Sequence, residues 1–167
     1  MDNIKKILAP TDFSELSQAG VRHALELAKA FGAEVTVYHV ISSAELMEIP
    51  KETVEGLDEH ALTTLRHPLE SYQQAMSRFL KKHFSDLIPG VKIREKVEIG
   101  APDKNIVSLA EQEGSDMIVM STHGRTGLSH ILVGSVTEKV VRQAHCPVFS
   151  IHPQPKEESK QTSAAVG

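Results

Sequence analysis

Five short segments rich in apolar residues alternate along the chain with segments in which apolar residues recur at helical spacing. The five are residues 5–9, 34–41, 91–99, 116–120 and 147–151. Three of them are almost continuously apolar, a pattern typical of strands buried on both faces of a parallel sheet. Segment 91–99 instead alternates apolar and charged residues, which predicts an edge strand with one wetter face.

Four of the intervening segments have the periodicity of amphipathic helices. Their predicted starts are Ser14 as an N-cap, Pro68 (which either begins or kinks the second helix), Pro102 and Ser135. Gly32 and Gly114 end the first and third helices, because glycine readily adopts the left-handed C-cap conformation. The alternation predicts a single-domain α/β fold, an open parallel sheet of five strands with right-handed crossovers and helices on both faces.

Two segments do not fit this alternation. Residues 42–64 are too long for a simple connection and are interpreted as a lid, an extra helix or a mobile insertion. Residues 153–167 are polar and nearly without apolar side chains, which is typical of a disordered tail. The domain is therefore predicted to span residues 1–152, with the insertion inside it.

The composition narrows the class of protein. The 167 residues correspond to about one domain, and aromatic residues at 4% leave the core to aliphatic side chains. The 18 basic and 22 acidic residues give a net charge of −4, which argues against nucleic acid as a partner. The single cysteine fits a reducing compartment, and no apolar run approaches the ~18 residues that span a membrane. With no signal region at its start, the chain is expected to be cytoplasmic, with no membrane partner.

Polar residues follow the first strand, at the edge where open parallel α/β sheets bind ligands. The sequence there is Pro10, Thr11, Asp12, Phe13 and Ser14, which places a carboxylate and two hydroxyls beside a predicted helix start. One interpretation is helix capping by Asp12 or Ser14. The other is that Asp12 contacts a hydroxyl or base of a ligand, and this segment alone leaves both open.

A second candidate segment runs from Ser121 to Gly134, after the fourth strand. It is longer than the about 2–6 residues of an ordinary connection. Its glycines, Arg125 and the helix start at Ser135 favour an anion site, because exposed N–H groups and the helix dipole attract phosphate. The alternative is a capping box between Ser135 and Glu138, and the two are compatible because a helix start has several free donors.

Other catalytic and metal-binding chemistry has little support in the chain. There is no Walker phosphate loop and no G-x-G-x-x-G after the first strand, so a conventional P-loop enzyme or dehydrogenase is not expected. His123 is interpreted as loop structure or a weak phosphate contact, and Cys146 as a small buried residue. The nine histidines lack the close spacing of metal ligands and are interpreted as surface residues, so no residue is assigned to metal or catalysis.

Several segments together resemble the universal stress protein family. They are 7–14 (ILAPTDFS), 100–102 (GAP), 116–120 (DMIVM), 121–135 (STHGRTGLSHILVGS) and 145–148 (HCPV). The resemblance covers about residues 3–152, and the order and spacing of the segments make it specific. It implies a Rossmann-like fold, similar to that of adenine nucleotide alpha hydrolases, with strand order 3-2-1-4-5. The first and fourth strands would then lie side by side where the order reverses.

The resemblance also implies an ATP site. ATP-binding members carry a motif similar to G-x2-G-x9-G-[ST], which matches this chain at Ser121, Gly124, Gly134 and Ser135. Serine replaces the first glycine of the motif, and its Cβ restricts the backbone close to a phosphate. The family would therefore place the nucleotide in the crevice between the first and fourth strands.

By the same resemblance, Asp12 contacts the ribose or adenine, and Val40 binds adenine through its backbone. The other residues implied are Pro10, Thr11 and Met120 lining the pocket, and Gly124, Arg125, Gly134, Ser135, Val136 and Thr137 holding phosphates bridged by Mg²⁺. A carried ligand would be ATP, AMP or ADP.

The leading hypothesis is therefore an ATP-binding regulatory protein that presents a surface to an unidentified protein partner and hydrolyses ATP slowly at most. The alternative is a dimeric interaction protein of the same family that binds no nucleotide, which Ser121 favours. A nucleotide-processing enzyme of related fold is a third hypothesis. The resemblance further implies a homodimer through the last strand, from Pro147 to Ile151, whose edge would otherwise stay unpaired.

Overall fold

The computed structural model describes residues 4–48, 67–122 and 133–152 of the chain. These residues form strands β1 (Lys6–Pro10), β2 (Glu34–Ile41), β3 (Lys92–Ile99), β4 (Met117–Ser121) and β5 (Val148–Ile151). The helices among them are α1 (Gln18–Phe31), α2 (Ser43–Glu48), α3 (Pro68–Phe84), α4 (Pro102–Glu113) and α5 (Ser135–Gln143). Each strand lies within one residue of its predicted start and end.

The five strands form one parallel sheet in the order β3-β2-β1-β4-β5. Every pair is parallel, with Ile7 opposite Val35 on one side of β1 and opposite Met117 on the other. The predicted strand order and α/β class are thereby confirmed. The order reverses between β1 and β4, so a crevice opens at the carboxyl ends of these two strands.

Two aliphatic cores lie on the two faces of the sheet. On one face, α1 and α3 bury Val21, Leu25, Met76 and Leu80 against the alternate residues of the strands. On the other, α4 and α5 pack against a second set that contains Leu8, Tyr38, Val40, Ile106, Ile118, Met120 and Val140. Strands covered on both sides explain the almost continuous apolar runs of β1, β2 and β4.

The prediction that Ser14 caps the first helix is wrong. Helix α1 begins at Gln18, and its N-cap residue Ser17 makes no side-chain capping hydrogen bond. The reason is a local turn, because Asp12 Oδ1 accepts the Ser14 backbone N–H at 3.0 Å and the Ser14 hydroxyl at 2.6 Å. Ser14 Oγ in turn accepts the N–H of Ser17 at 3.1 Å, one turn before the helix.

The other helix ends follow the sequence more closely. Pro68 lies in the first turn of α3 and does not kink it. Gly32 and Gly114 both adopt the left-handed C-cap conformation, with φ of 67° and 62°. The predicted capping box of α5 is wrong, because the N-cap residue is Gly134 and no side chain among the described residues caps this helix. Ser135 is already its first helical residue.

A capping box does occur at α2, where the sequence analysis placed none. The Ser42 hydroxyl accepts the Glu45 N–H at 3.2 Å, while Glu45 Oε2 accepts the N–H and the hydroxyl of Ser42 at 2.9 and 3.0 Å. Helix α2 starts the predicted insertion 42–64, so the extra helix is the alternative found in its described part. The rest of the insertion and the tail 153–167 lie outside the described residues.

Strand β3 is an edge strand, as its alternating pattern predicted. Within the described ranges, no helix is both long enough and apolar enough to cross a bilayer.

Candidate functional site

A crevice with a volume of about 400 Å³ opens at the carboxyl ends of β1, β2 and β4. Its size falls within the roughly 300–1,000 Å³ range of small-molecule sites. The turn after β1, the end of β2, the start of α2 and the first turns of α4 and α5 form its walls. It is lined by Pro10, Thr11, Asp12, Ser17, Tyr38, His39, Val40, Ser42, Ala44, Glu45, Pro102, Ile106, Met120, Ser121, Thr122, Gly134, Ser135, Val136 and Thr137.

One wall of the crevice is apolar. Val40 from β2, Ile106 from α4 and Met120 from β4 belong to the same core and are all buried. The Tyr38 hydroxyl donates to Glu98 Oε2 at 2.5 Å. Burial, reinforced by the Glu98 carboxylate, raises the pKa of Tyr38 above its ordinary value, so the phenol stays neutral. This wall can take a flat apolar group and places little charge against it.

The turn after β1 has a fixed and strained backbone. Thr11 donates its N–H to the Tyr38 carbonyl at 2.8 Å, and its hydroxyl lies 2.9 Å from the Ser17 hydroxyl. Phe13 has φ of 63°, a left-handed conformation that is rare for an aromatic residue and costs about 1–3 kcal/mol. The turn thereby directs Asp12 along the edge of the crevice, where the carboxylate holds Ser14.

Ser121, the serine at the first motif position, directs its hydroxyl toward α1. Its Oγ accepts the Gly20 N–H at 3.0 Å and donates to the Leu16 carbonyl at 2.8 Å. Gly20 is in the first turn of α1, so Ser121 satisfies an N–H that Ser17 leaves without a side-chain cap. A Cβ at Gly20 would lie 2.7 Å from Ser121 N, so this contact between helix and strand requires glycine.

The amino end of α5 faces the same crevice. In the described part of the chain no side chain caps this helix, and Ser135, Val136 and Thr137 of its first turn line the crevice. The Gly134 N–H donates to the Thr122 carbonyl at 2.6 Å, and the Thr137 hydroxyl donates to the Ser121 carbonyl at 3.0 Å. These bonds hold the helix end against β4. An uncapped helix start is an anion-binding arrangement.

His39 is a part of the site that the sequence analysis missed. It is 1% exposed, which corrects the interpretation of the histidines as surface residues. One ring nitrogen, Nδ1, lies 2.8 Å from the Thr11 carbonyl, and the other, Nε2, lies 3.3 Å from Glu45 Oε1. The ring packs against Phe13, at a centroid distance of 4.4 Å, and against Tyr72, which is stacked on it at 5.2 Å. A lone histidine in an apolar strand gave no sequence signal for these distant partners.

Every predicted site residue that the structure describes lines the crevice. These are Pro10, Thr11, Asp12, Val40, Met120, Ser121, Gly134, Ser135, Val136 and Thr137. Gly124, Arg125 and His123 lie outside the described residues. The structure brings the turn after β1 and the start of α5 to one crevice, the arrangement that the strand order implies.

The structure also bears on the interpretations of the histidines as metal ligands and of Cys146 as a small buried residue. Among residues 4–48, 67–122 and 133–152, no group of three His, Cys, Asp or Glu side chains is arranged to hold a metal ion. Cys146 is half-buried, and this burial raises the pKa of its thiol, which disfavours the reactive thiolate.

Comparisons with known proteins decide the family. A model of the universal stress protein family matches residues 3–152. The chain belongs to the universal stress protein family. Universal stress protein MJ0531 of Methanocaldococcus jannaschii is 39% identical over 154 residues, which cover 92% of this chain and 85% of that protein. Universal stress protein MJ0577 of the same organism is 34% identical, over 88% of this chain and 94% of its own length.

Solved structures agree with this family and fold. The structure of hypothetical protein MJ0577 matches with a TM-score of 0.68 at 34% identity, covering 92% of this chain and 99% of that one. Universal stress protein UspA from Lactobacillus plantarum matches with a TM-score of 0.70 at 24% identity, covering 91% and 100%. A universal stress protein solved in complex with cAMP matches with a TM-score of 0.61 at 21% identity, covering 92% and 100%. The last two are similar in fold alone.

Proposed function

We propose that this universal stress protein binds ATP, with Mg²⁺, in the crevice at the ends of β1 and β4 and acts as a nucleotide-dependent regulatory protein. The observation that carries the proposal is the pairing, in one crevice, of an apolar wall with the uncapped amino end of α5. A nucleotide needs both, because its base is flat and weakly polar and its phosphates are anionic.

Each part of the nucleotide has a matching part of the crevice. The base would lie against Val40, Ile106 and Met120, with the Val40 backbone as its hydrogen-bonding partner. The Asp12 carboxylate would accept a ribose hydroxyl. The phosphates would receive N–H donors from the first turn of α5, and Gly124 and Arg125 would add to them. A universal stress protein of the same fold was solved in complex with cAMP, which is also an adenine nucleotide.

Mg²⁺ would bridge the phosphates and offset their charge. This cation usually keeps several waters beside the phosphate oxygens, and we assign no residue of the crevice to it. We propose no catalytic turnover beyond slow ATP hydrolysis. In support, the hydroxyls of Thr11, Ser121 and Thr137 already bond to other protein groups, none of which is a base suited to activate them.

Two measurements test the proposal. Nucleotide carried by the purified protein is released by denaturation and identified by ion-exchange chromatography, and Mg-ATP binding is measured by calorimetry. Asp12→Asn keeps an Oδ1 acceptor for Ser14 and removes only the charge, so it should weaken binding by about tenfold. Asp86→Asn, on the exposed surface beside Arg22, is the control and should bind as the native protein does. Neither carried nucleotide nor calorimetric binding would leave the alternative, a dimeric interaction protein of the same family.

A further inference from the structure

Phe13 is the one residue other than glycine with a positive φ in the described part of the chain. Its φ of 63° lies in the left-handed region, where the Cβ of an ordinary residue is crowded. Strain of this kind persists only where the surrounding structure holds it, and it is concentrated at functional sites. Phe13 directly follows Asp12, which lines the crevice, but is not itself among the lining residues. Its conformation therefore acts on the crevice through a neighbour.

The backbone of Phe13 closes the turn that holds Asp12. The Asp12 Oδ1 accepts the N–H and the hydroxyl of Ser14, at 3.0 and 2.6 Å, so the two residues that flank Phe13 are bonded to each other. Such a turn forms only when the residue between them brings the second N–H back to the carboxylate. The Phe13 N–H itself donates to the Thr11 hydroxyl at 3.1 Å. The direction of the Asp12 side chain thus depends on the left-handed conformation of Phe13.

The ring of Phe13 anchors this turn in the core. It packs against the core on the α1 and α3 face of the sheet. Its centroid lies 5.4 Å from that of Phe79, in an edge-to-face pair, and 6.3 Å from that of Tyr72. Aromatic pairs with these distances and tilts attract each other. Because Phe79 and Tyr72 both belong to α3, the ring ties the turn after β1 to that helix.

Glycine at this position would behave differently. It would adopt the same φ without strain, but it would also populate many other conformations, since it has neither a Cβ nor a ring to select one of them. Phenylalanine carries the strain and supplies the ring that holds a single conformation. The turn is then ordered before a ligand arrives, which lowers the cost of ordering it on binding.

We propose that Phe13 is a positioning residue: its ring, anchored on α3, keeps the turn after β1 in the conformation that presents the Asp12 carboxylate to the ribose hydroxyls of the nucleotide. This inference rests on the proposed function, because the ribose belongs to the nucleotide bound in the same crevice. A turn that also samples other conformations makes this contact only part of the time, so the affinity that the contact contributes falls. Binding of the base and the phosphates is spared, since the apolar wall and the amino end of α5 belong to other elements.

The test compares Mg-ATP with the magnesium complex of dideoxy-ATP, an analogue that lacks both ribose hydroxyls. Calorimetry gives the ratio of the two affinities for each protein, and this ratio cancels any loss that affects both ligands equally. The native protein should prefer ATP by about tenfold, as expected for a hydrogen bond to a charged group. Phe13→Gly should reduce the preference to about twofold or less, because the carboxylate is no longer directed at the ribose. Its affinity for dideoxy-ATP should stay native, which also shows that the variant is folded.

Two variants in α3 act on the Phe13 ring through its partners. Phe79→Leu removes the edge-to-face contact and leaves the turn unchanged in sequence, so it should also lower the preference for ATP. This variant keeps the test available where Phe13→Gly fails to fold. Phe84→Leu is the matched control, because Phe84 is a buried aromatic of the same helix that contacts Phe79 but, among the described residues, makes no ring contact with Phe13. It should keep the native preference.

A double-mutant cycle connects Phe13 to Asp12. Asp12→Asn should weaken Mg-ATP binding about tenfold in the native background and much less in Phe13→Gly. An equal cost in both backgrounds, or a preference for ATP that the folded variants of Phe13 and Phe79 retain in full, would overturn the positioning role while leaving nucleotide binding intact. A native protein that binds ATP and dideoxy-ATP equally would overturn it as well. No binding of either ligand by the native protein would instead overturn the proposed function, and with it the role of Phe13.

Discussion

At the scale of single residues, Ser121 connects the start of the candidate phosphate segment to α1. Its hydroxyl bonds to Gly20 and Leu16, and both contacts would be lost in Ser121→Gly. We expect this substitution to lower the free energy of unfolding by about 1–3 kcal/mol, because the Gly20 N–H would be left without its acceptor. Mg-ATP affinity should be unchanged, since the hydroxyl points toward the helix. Denaturant unfolding and calorimetry measure the two effects.

In this experiment, Ser121→Ala distinguishes the effect of losing the hydroxyl from the effect of losing the Cβ. It removes the same two hydrogen bonds but keeps the Cβ, so it should lose about as much stability as Ser121→Gly. A gain of ATP binding in the glycine variant alone would show that the serine obstructs the site. That result would favour the alternative, in which the native protein binds no nucleotide.

Asp116 makes folding stability dependent on acid pH. Its Oδ2 accepts the N–H groups of Lys5 and Lys6 at 2.8 and 2.9 Å, and these two bonds lower the pKa of the carboxyl below its usual value of 3.8. A carboxyl with a lowered folded pKa stabilises the fold above its unfolded pKa, and this contribution is lost as pH falls through the folded value. Native protein and Asp116→Asn should therefore differ in urea midpoint at neutral pH and converge below about pH 4. A difference in urea midpoint between the two proteins that stays constant down to acid pH would contradict this assignment.

The residues that sequence reasoning missed share one property: their partners are distant in the chain. His39 bonds to the Thr11 carbonyl, 28 residues away, and Gly20 is capped by Ser121, 101 residues away. Local pattern rules assign caps to neighbouring residues, so they favoured Ser14. Asp12 could be predicted, because the strand order implied by the family resemblance brings the turn after β1 to the crevice.

At the scale of secondary structure, the amino end of α5 offers a test of phosphate binding. Gly134 has φ of −66° and ψ of 153°, a conformation that any residue can adopt at an N-cap. In Gly134→Asp the new carboxylate would cap the helix and raise stability by a few tenths of a kcal/mol, about the usual gain over glycine. The same charge would repel phosphate, so Mg-ATP affinity should fall by at least about tenfold. Thermal unfolding and calorimetry should thus move in opposite directions.

The uncharged variant Gly134→Asn is the control for this pair of effects. Asparagine caps a helix about as well as aspartate and adds no charge. Its affinity for Mg-ATP should therefore lie well above that of Gly134→Asp. Equal affinities for the two variants would place the phosphates away from α5.

Element types were predictable where one physical signal dominated. The apolar runs of β1, β2 and β4 follow from burial on both faces, and the glycines at the ends of α1 and α4 follow from their left-handed backbone. The start of α1 was not predictable, because Asp12 and Ser14 form a competing turn. Helix α2 is short and carries little periodicity, so only its capping box could have revealed it.

At the scale of the whole molecule, the two edges of the sheet differ in chemistry. At the β3 edge, Lys92 and Arg94 form ion pairs with Glu34, and charged side chains discourage pairing with another chain. At the β5 edge, β4 is the only strand that pairs with β5 in the described part of the chain. Phe149 in β5 is 47% exposed. An apolar strand edge with an exposed aromatic is a surface suited to a second copy of the chain.

We therefore predict a homodimer formed through β5, which Phe149→Glu should convert to a monomer. A carboxylate on each copy would face the other across the pairing edge, and burying two like charges without partners costs more than the strand contact returns. Light scattering during size-exclusion chromatography should give a two-subunit mass for the native protein and a one-subunit mass for the variant. Phe31→Glu is the matched control, because Phe31 is also exposed, at 43%, but belongs to the last turn of α1 and not to β5. A native monomer, or a Phe149→Glu protein that keeps the two-subunit mass, would exclude this edge as the interface. A dimer that Phe31→Glu dissociates would instead place the interface on α1.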